Sequence, residues 1–240
     1  MRIFCKICQE NNEQSHSHLT PKSIIKSKQL EIHKSGKIKG AKNTGMPFDD
    51  GIICQKCERI FDDLDRKFAG FIRTIKATKK ILPNPFDSST YLLNFSIDYV
   101  WLDTFSASLL YRHSLSEKRL VKLGKFEGTA KKMIEKYNKK MPIDEEQKTF
   151  EAICLINTAR KLSKNSTSTD IGFCKNYGTI RVYRFLASDG IELHIKVSNK
   201  TSPALSNFRQ KNIILAAPLY DDYTKHMELM VEKSILLNRK

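Results

Sequence analysis

The chain has 240 residues, 40% of them hydrophobic, and a net charge of +16 with a pI of about 9.6. That hydrophobic share can bury a core, which excludes a disordered chain, and no uncharged apolar run reaches the ~18 residues of a membrane span. Residues 1–80 hold 17 Lys/Arg against 9 Asp/Glu, an excess that suits a polyanion, of which nucleic acid is the commonest, although a lysine-rich composition without such a role reads the same.

The chain opens Met-Arg-Ile-Phe-Cys, with no charged-then-apolar signal region, which predicts a cytoplasmic protein with reduced thiols. Its first element is a knuckle, Cys5-Lys-Ile-Cys8, followed by a polar stretch and the segment Ser15-His16-Ser17-His18-Leu19-Thr20-Pro21-Lys22. Residues 1–20 read as short and turn-like. Residues 21–47 read as a lightly structured basic arm, in which Lys22, Lys26 and Lys28 are candidate phosphate contacts or simply a solvated loop. The second knuckle is Cys54-Gln-Lys-Cys57, followed by Glu58.

Two Cys-x-x-Cys turns offer four thiolates, the set that one tetrahedral structural Zn²⁺ takes. Cys5, Cys8, Cys54 and Cys57 are therefore its predicted ligands. The 45 residues between the pairs exceed a usual zinc-ribbon spacing, so something is inserted there. Cys154 and Cys174 have no partner at ligand spacing and read as ordinary buried cysteines.

The second knuckle opens a helix over Gln55–Lys80, since Ile60, Phe61, Leu64, Phe68, Phe71, Ile72 and Ile75 recur at three- and four-residue intervals. Pro83-Asn84-Pro85 breaks the chain, and a boundary is placed there, dividing a zinc module (1–82) from a second domain (83–240). A helix is expected over much of Tyr91–His113, with His113 at its end and Trp101 in the core, and another over Phe126–Lys139. The second domain is thus helical to about 140 and strand-containing over 150–218. Alternating runs within 179–187 and 191–197 flank Asp189-Gly190, a hairpin signal in which the polar members, His194 among them, should face water. Ile213–Pro218 adds a strand and residues 220–237 a closing helix. The fold class is α+β: a small four-cysteine module, a helical middle and a C-terminal part with hairpins.

The first 125 residues resemble HNH-type endonucleases, whose ββα-metal site sets a His and a nearby Pro ahead of a Cys-x-x-Cys-His/Asn. The pattern here is Cys-x-x-Cys, Ser-His-x-x-Pro-Lys, Cys-x-x-Cys-Glu, followed by Phe105–Arg112 and Leu123-Gly124. The resemblance implies a hydrolase cutting DNA, or RNA as a second candidate. It implies His18 as the general base, Glu58 as the anchor of a catalytic Mg²⁺ or Mn²⁺, and Asp62, one helical turn on, as a further ligand. Two-strand cutting would favour a homodimer. The family's Asp or His before the base is Ser17 here, and its middle Asn has no clear counterpart. His16, Asp49 or Asp50 are substitutes for the missing anchor. The rival reading is a non-catalytic zinc-stabilised module that binds nucleic acid or protein. There Ser17 caps the turn, His18 packs beside the knuckle, and Glu58 is a carboxylate favoured by the helix dipole.

Overall fold

The computed structural model describes residues 2–18, 30–32, 38–40, 48–81, 91–116, 121–157, 171–177, 180–186 and 191–217. Lys22, Lys26, Lys28, the 82/83 boundary, Asp189-Gly190, Cys174's side chain and the helix expected over 220–237 lie outside the described residues.

Strands β1 (Arg2–Phe4), β2 (Asn11–His18) and β5 (Phe48–Cys54) form an antiparallel sheet in the order β1-β2-β5. The turn-like reading of residues 11–18 is therefore corrected. This run of polar residues has no apolar alternation to announce a strand, and pairing on both edges holds it instead. Within the basic arm, β3 (Leu30–Ile32) pairs with β4 (Ile38–Gly40).

The chain passes from β5 straight into α1 (Gln55–Ile81), which lies against both β2 and β5. Helix α1 buries most of the predicted apolar stripe, with Phe61, Leu64, Phe68, Ile72 and Ile75 all 4% exposed or less, while Ile60 and Phe71 flank it half-buried against the core. The next segment is split. Tyr91–Asn94 is a strand, β6, and only from Tyr99 does helix α2 (Tyr99–Leu115) begin. Asp98 caps it, accepting a 2.9 Å hydrogen bond from the Val100 amide. Nearly every side of α2 is covered, and His113, in its last turn, is fully buried. Burial and the neighbouring Arg112 hold the His113 imidazole down at about 3, so it sits neutral in the core.

After a 3-10 turn at Gly124–Phe126 come α3 (Glu127–Asn138) and α4 (Asp144–Thr149). Gly124 has φ +56°, the left-handed region that a side chain would strain. Strands β7 (Phe150–Asn157), β8 (Ile171–Tyr177), β9 (Ile180–Leu186) and β10 (Ile191–Val197), then α5 (Pro203–Gln210) and β11 (Ile213–Ala217), complete the described chain. The larger sheet runs β6-β11-β7-β10-β9-β8, antiparallel except where β11 lies parallel to β7. The architecture is α+β.

The expectation that His194 faces water is overturned. β10 lies between β7 and β9, and all seven of its residues are buried. Its polar side is satisfied internally. Arg184 grips Glu192 through two 2.7 Å hydrogen bonds, and His194 Nε2 lies 3.2 Å from the same carboxylate. Lys196 pairs with Glu151 and donates to the carbonyls of Lys148 and Lys200. The opposite face, Ile191, Leu193, Ile195 and Val197, joins the apolar core.

Phe68 of α1 stacks on Phe105 of α2 with centroids 4.0 Å apart and lies 6.4 Å from Phe185 of β9. One apolar cluster thereby runs from Cys5 to Ile214. Buried Arg112 ties α2 to α1 through 2.8 and 3.0 Å bonds to Asp65. Asp103, also buried, accepts from Arg209, Gln147 and the Ala152 amide, joining α2, α5, α4 and β7.

Candidate metal centre

Four sulfurs converge where β1 ends and α1 begins. The Sγ atoms of Cys5, Cys8, Cys54 and Cys57 all lie within 4.8 Å of one another, and Cys8 and Cys54 are 3.9 Å apart. A tetrahedron with Zn–S bonds of about 2.3 Å has edges of about 3.8 Å, so this spread suits one thiolate-bound cation. It is far longer than the ~2.05 Å of a disulfide, and these cysteines are free. The site can hold a metal ion, and its donor set is compatible with structural zinc. No position is left open by four protein ligands. Among the described residues, this is the one group of three or more His, Cys, Asp or Glu side chains so placed.

The local chain explains the convergence. The first knuckle turns tightly, with the Gln9 amide donating to the Cys5 carbonyl at 2.9 Å and the Cys5 amide to Glu10 O at 3.0 Å. Gln9 takes a left-handed φ of 59° to bring the strand back. The Lys6 amide donates to Ile52 O at 3.0 Å, which pins the knuckle on β5. Cys54 ends β5, and Cys57 lies in the first turn of α1. Helix geometry thus sets the second pair, and strand pairing brings the first to it.

The sulfurs are buried except Cys8, which is partly exposed. Burial pushes the Cys5 thiol up, but the amides of Cys8, Cys54 and Ile7 more than offset this and hold it at about 7. The Cys54 N–H···Sγ contact to Cys5 is 3.4 Å. Burial pushes the Cys54 and Cys57 thiols up. Bringing Cys54 and Cys57 to the thiolate form therefore calls for a cation, and its binding displaces protons. Asn12 Nδ2 lies 3.5 Å from Cys8 Sγ.

Two lysines that the motif reading passed over fasten this corner to the helices. Lys131 of α3 donates to Ile7 O at 3.0 Å, inside the first knuckle. Lys6 donates to Leu115 O at 2.9 Å, placing a cation at the C-terminal end of α2, where the helix dipole favours it. Both contacts span more than a hundred residues, and no local pattern marks them.

The other predicted site residues take up these positions. His18 is the last residue of β2, opposite Phe48. Ser17 stands opposite Asp49 and His16 opposite Asp50, beyond an irregularity between Gln14 and His16. The side chains of residues 16–18 and 48–51 lie outside the described ones. Glu58 sits half-buried in the first turn of α1, and Asp62 follows one turn later, exposed.

No helix among the described residues is long and apolar enough to cross a membrane. Comparison with protein-family models, with curated proteins and with solved structures finds no match.

Proposed function

We propose that the chain is a metal-dependent endonuclease of the ββα-metal kind, hydrolysing DNA phosphodiester bonds on a module held by structural zinc on Cys5, Cys8, Cys54 and Cys57. One observation carries this reading. An antiparallel strand pair, β2 and β5, runs directly into a helix that lies back against both strands, with the cysteine cluster at the junction. The strand bears His18 at its end, and the helix bears Glu58 in its first turn.

In this reading His18 takes the proton of the attacking water, a task suited to an imidazole that titrates near neutrality. Glu58, assisted by Asp62, would hold the catalytic Mg²⁺ or Mn²⁺. Such an ion supplies Lewis-acid stabilisation of charge on the scissile phosphate and departing oxygen. Asp49 and Asp50, at register positions opposite Ser17 and His16, offer carboxylates on the neighbouring strand in place of the anchor that Ser17 lacks. The strongly basic chain favours nucleic acid as partner.

Ser17 is also the observation favouring a second reading, a zinc-stabilised binding module that has lost the ion and the reaction. Plasmid incubation with Mg²⁺ or Mn²⁺ separates the two. The endonuclease reading expects nicking by the wild type and its loss in His18→Ala, with metal content and DNA binding retained. Nicking undiminished in His18→Ala removes His18 as the base. Salt-sensitive binding without nicking at any pH establishes the second reading.

A further inference from the structure

Helix α1 has 27 residues, about 40 Å at 1.5 Å per residue, yet the metal centre uses only its first turn. Phe61, Leu64, Phe68, Ile72 and Ile75 mark its inward side. At about 100° per residue, positions 59, 66 and 73 fall on the opposite side, each seven-residue step drifting by about 20°. Those positions are Arg59, Arg66 and Arg73, all exposed, and Lys80 continues the interval in the sequence. Arg66 has 79% of its side chain in solvent.

Charge is divided along the helix as well. Residues 55–65 hold two cations, Lys56 and Arg59, against Glu58, Asp62, Asp63 and Asp65. Residues 66–81 hold Arg66, Lys67, Arg73, Lys76, Lys79 and Lys80, and no acid. The helix dipole favours cations only in the last turn. Arg66 and Arg59 lie about four and six turns before the end, so the dipole does not account for the row. Nor do ion pairs. Arg66 reaches Asp63 only at 4.0 Å, on an exposed surface where such a pair contributes little.

Gly70 lies between Arg66 and Arg73. A Cβ there would meet only Arg73 Nη2, at an ordinary 3.8 Å. Its φ is not among the positive ones, so neither packing nor backbone geometry calls for this poor helix former. Its effect is to leave the helix backbone low between two guanidinium groups, where another backbone can approach closely.

We infer that this arginine row docks α1 on the phosphate backbone of duplex DNA, with Gly70 admitting the strand between Arg66 and Arg73. Successive members are about 10.5 Å apart along the axis, far enough for each guanidinium to meet a separate phosphate. Among the described residues, no exposed position of α1 carries an aromatic ring, so the base stacking by which single strands are held is not offered there. The inference rests on the proposed nucleic-acid role but not on catalysis by His18. It adds a division of labour: the acids of the first turns of α1 lie near the metal centre, and the arginine row along its outer side grips the substrate.

The test is fluorescence anisotropy with the full-length, metal-loaded protein and a labelled 20-base-pair duplex of arbitrary sequence, across a KCl series without added Mg²⁺ or Mn²⁺. The variant Arg59→Gln/Arg66→Gln/Arg73→Gln should bind at least tenfold more weakly at 0.1 M salt. Its slope of log K against log[salt] should be shallower by about 2.7, roughly 0.9 per lost phosphate contact. The matching triple Lys variant should keep the slope. Should the Gln triple melt early, Arg66→Glu alone should still lower the slope by about 1. Affinity and slope equal to wild type overturn the row. A loss seen with an RNA hairpin or a single strand but not the duplex overturns the assignment to duplex DNA. Wild type that binds none of these probes removes the nucleic-acid role and the row together. Row-dependent binding without plasmid nicking keeps the row and removes the nuclease.

Discussion

β2 and β10 are each an inner strand of their sheets, yet none of residues 11–15 on β2 is buried, whereas all seven residues of β10 are. The difference lies in what covers them. The smaller sheet, β1-β2-β5, has three strands and a knuckle, with Ile7, Ile52, Ile53 and the cysteines as its share of the core. The larger sheet has helices packed on one face and, on the other, charged side chains that answer one another. Burial can hold the second together. The first lacks the apolar area to do so, and the four-sulfur site is the feature that closes it.

Metal removal breaks that contrast most sharply. Structural zinc in small finger peptides is bound with roughly 10–16 kcal/mol, and that energy is folding energy. Stripping the metal with a chelator, or replacing Cys54 with Ser, should abolish amide protection in β1, β2 and β5. Protection in β7, β9 and β10 should survive, because Phe68, Phe105 and Phe185 lock the far part of α1 to the sheet without the metal. Hydrogen exchange followed by mass spectrometry reads both regions in one experiment. Equal protection of β2 and β5 before and after chelation would defeat this account of the smaller sheet.

The same contrast explains what was legible in the sequence. Helix α1 was marked by its apolar spacing to within a residue of its end, and the metal site by two Cys-x-x-Cys turns, because both signals are local. β2 was not, since Asn11–His18 forms a strand through its neighbours and not through its own alternation. β9 and β10 were found by alternation, but the same alternation put His194 in water. Only the assembled sheet shows that β10 has strands on both edges and Arg184–Glu192 on its polar face. Asp103 carries no local sign of its role, because its partners Arg209, Gln147 and Ala152 are 44 to 106 residues away. The arginine row was present in the letters all along. It emerges only once the inward side of the helix is known.

A smaller effect tests the polar joints of the helical part. Glu146 of α4 is buried and accepts 2.9 Å bonds from Lys136 and a 3.0 Å contact from Lys132. Burial alone would raise its carboxyl, but the two lysines more than offset this and hold it at about 2. A carboxyl lowered on folding stabilises the native state above its unfolded pKa, near 4.5 here, and loses that contribution as pH falls towards 2. Glu146→Gln should cost about 1–2 kcal/mol at pH 7, given that the lysines are partly solvated. The gap between wild type and variant in urea midpoints should close between pH 4.5 and 2. A gap that stays constant across that window would mean that Glu146 acts by shape alone.

Gly70 sharpens the comparison from the other direction, because α1 belongs to both regions. Replacing it with Ala removes a poor helix former from the exposed side of the helix, where the added methyl has room. Gly70→Ala should therefore stabilise the protein by about 1 kcal/mol, raising Tm by roughly 2–4 °C for a chain of this size. If the glycine is kept because a DNA strand passes close to the helix backbone there, the same variant should bind duplex more weakly while melting higher. A variant that melts higher and binds equally well would leave Gly70 unconnected to docking. The arginines on either side would then act as charges alone.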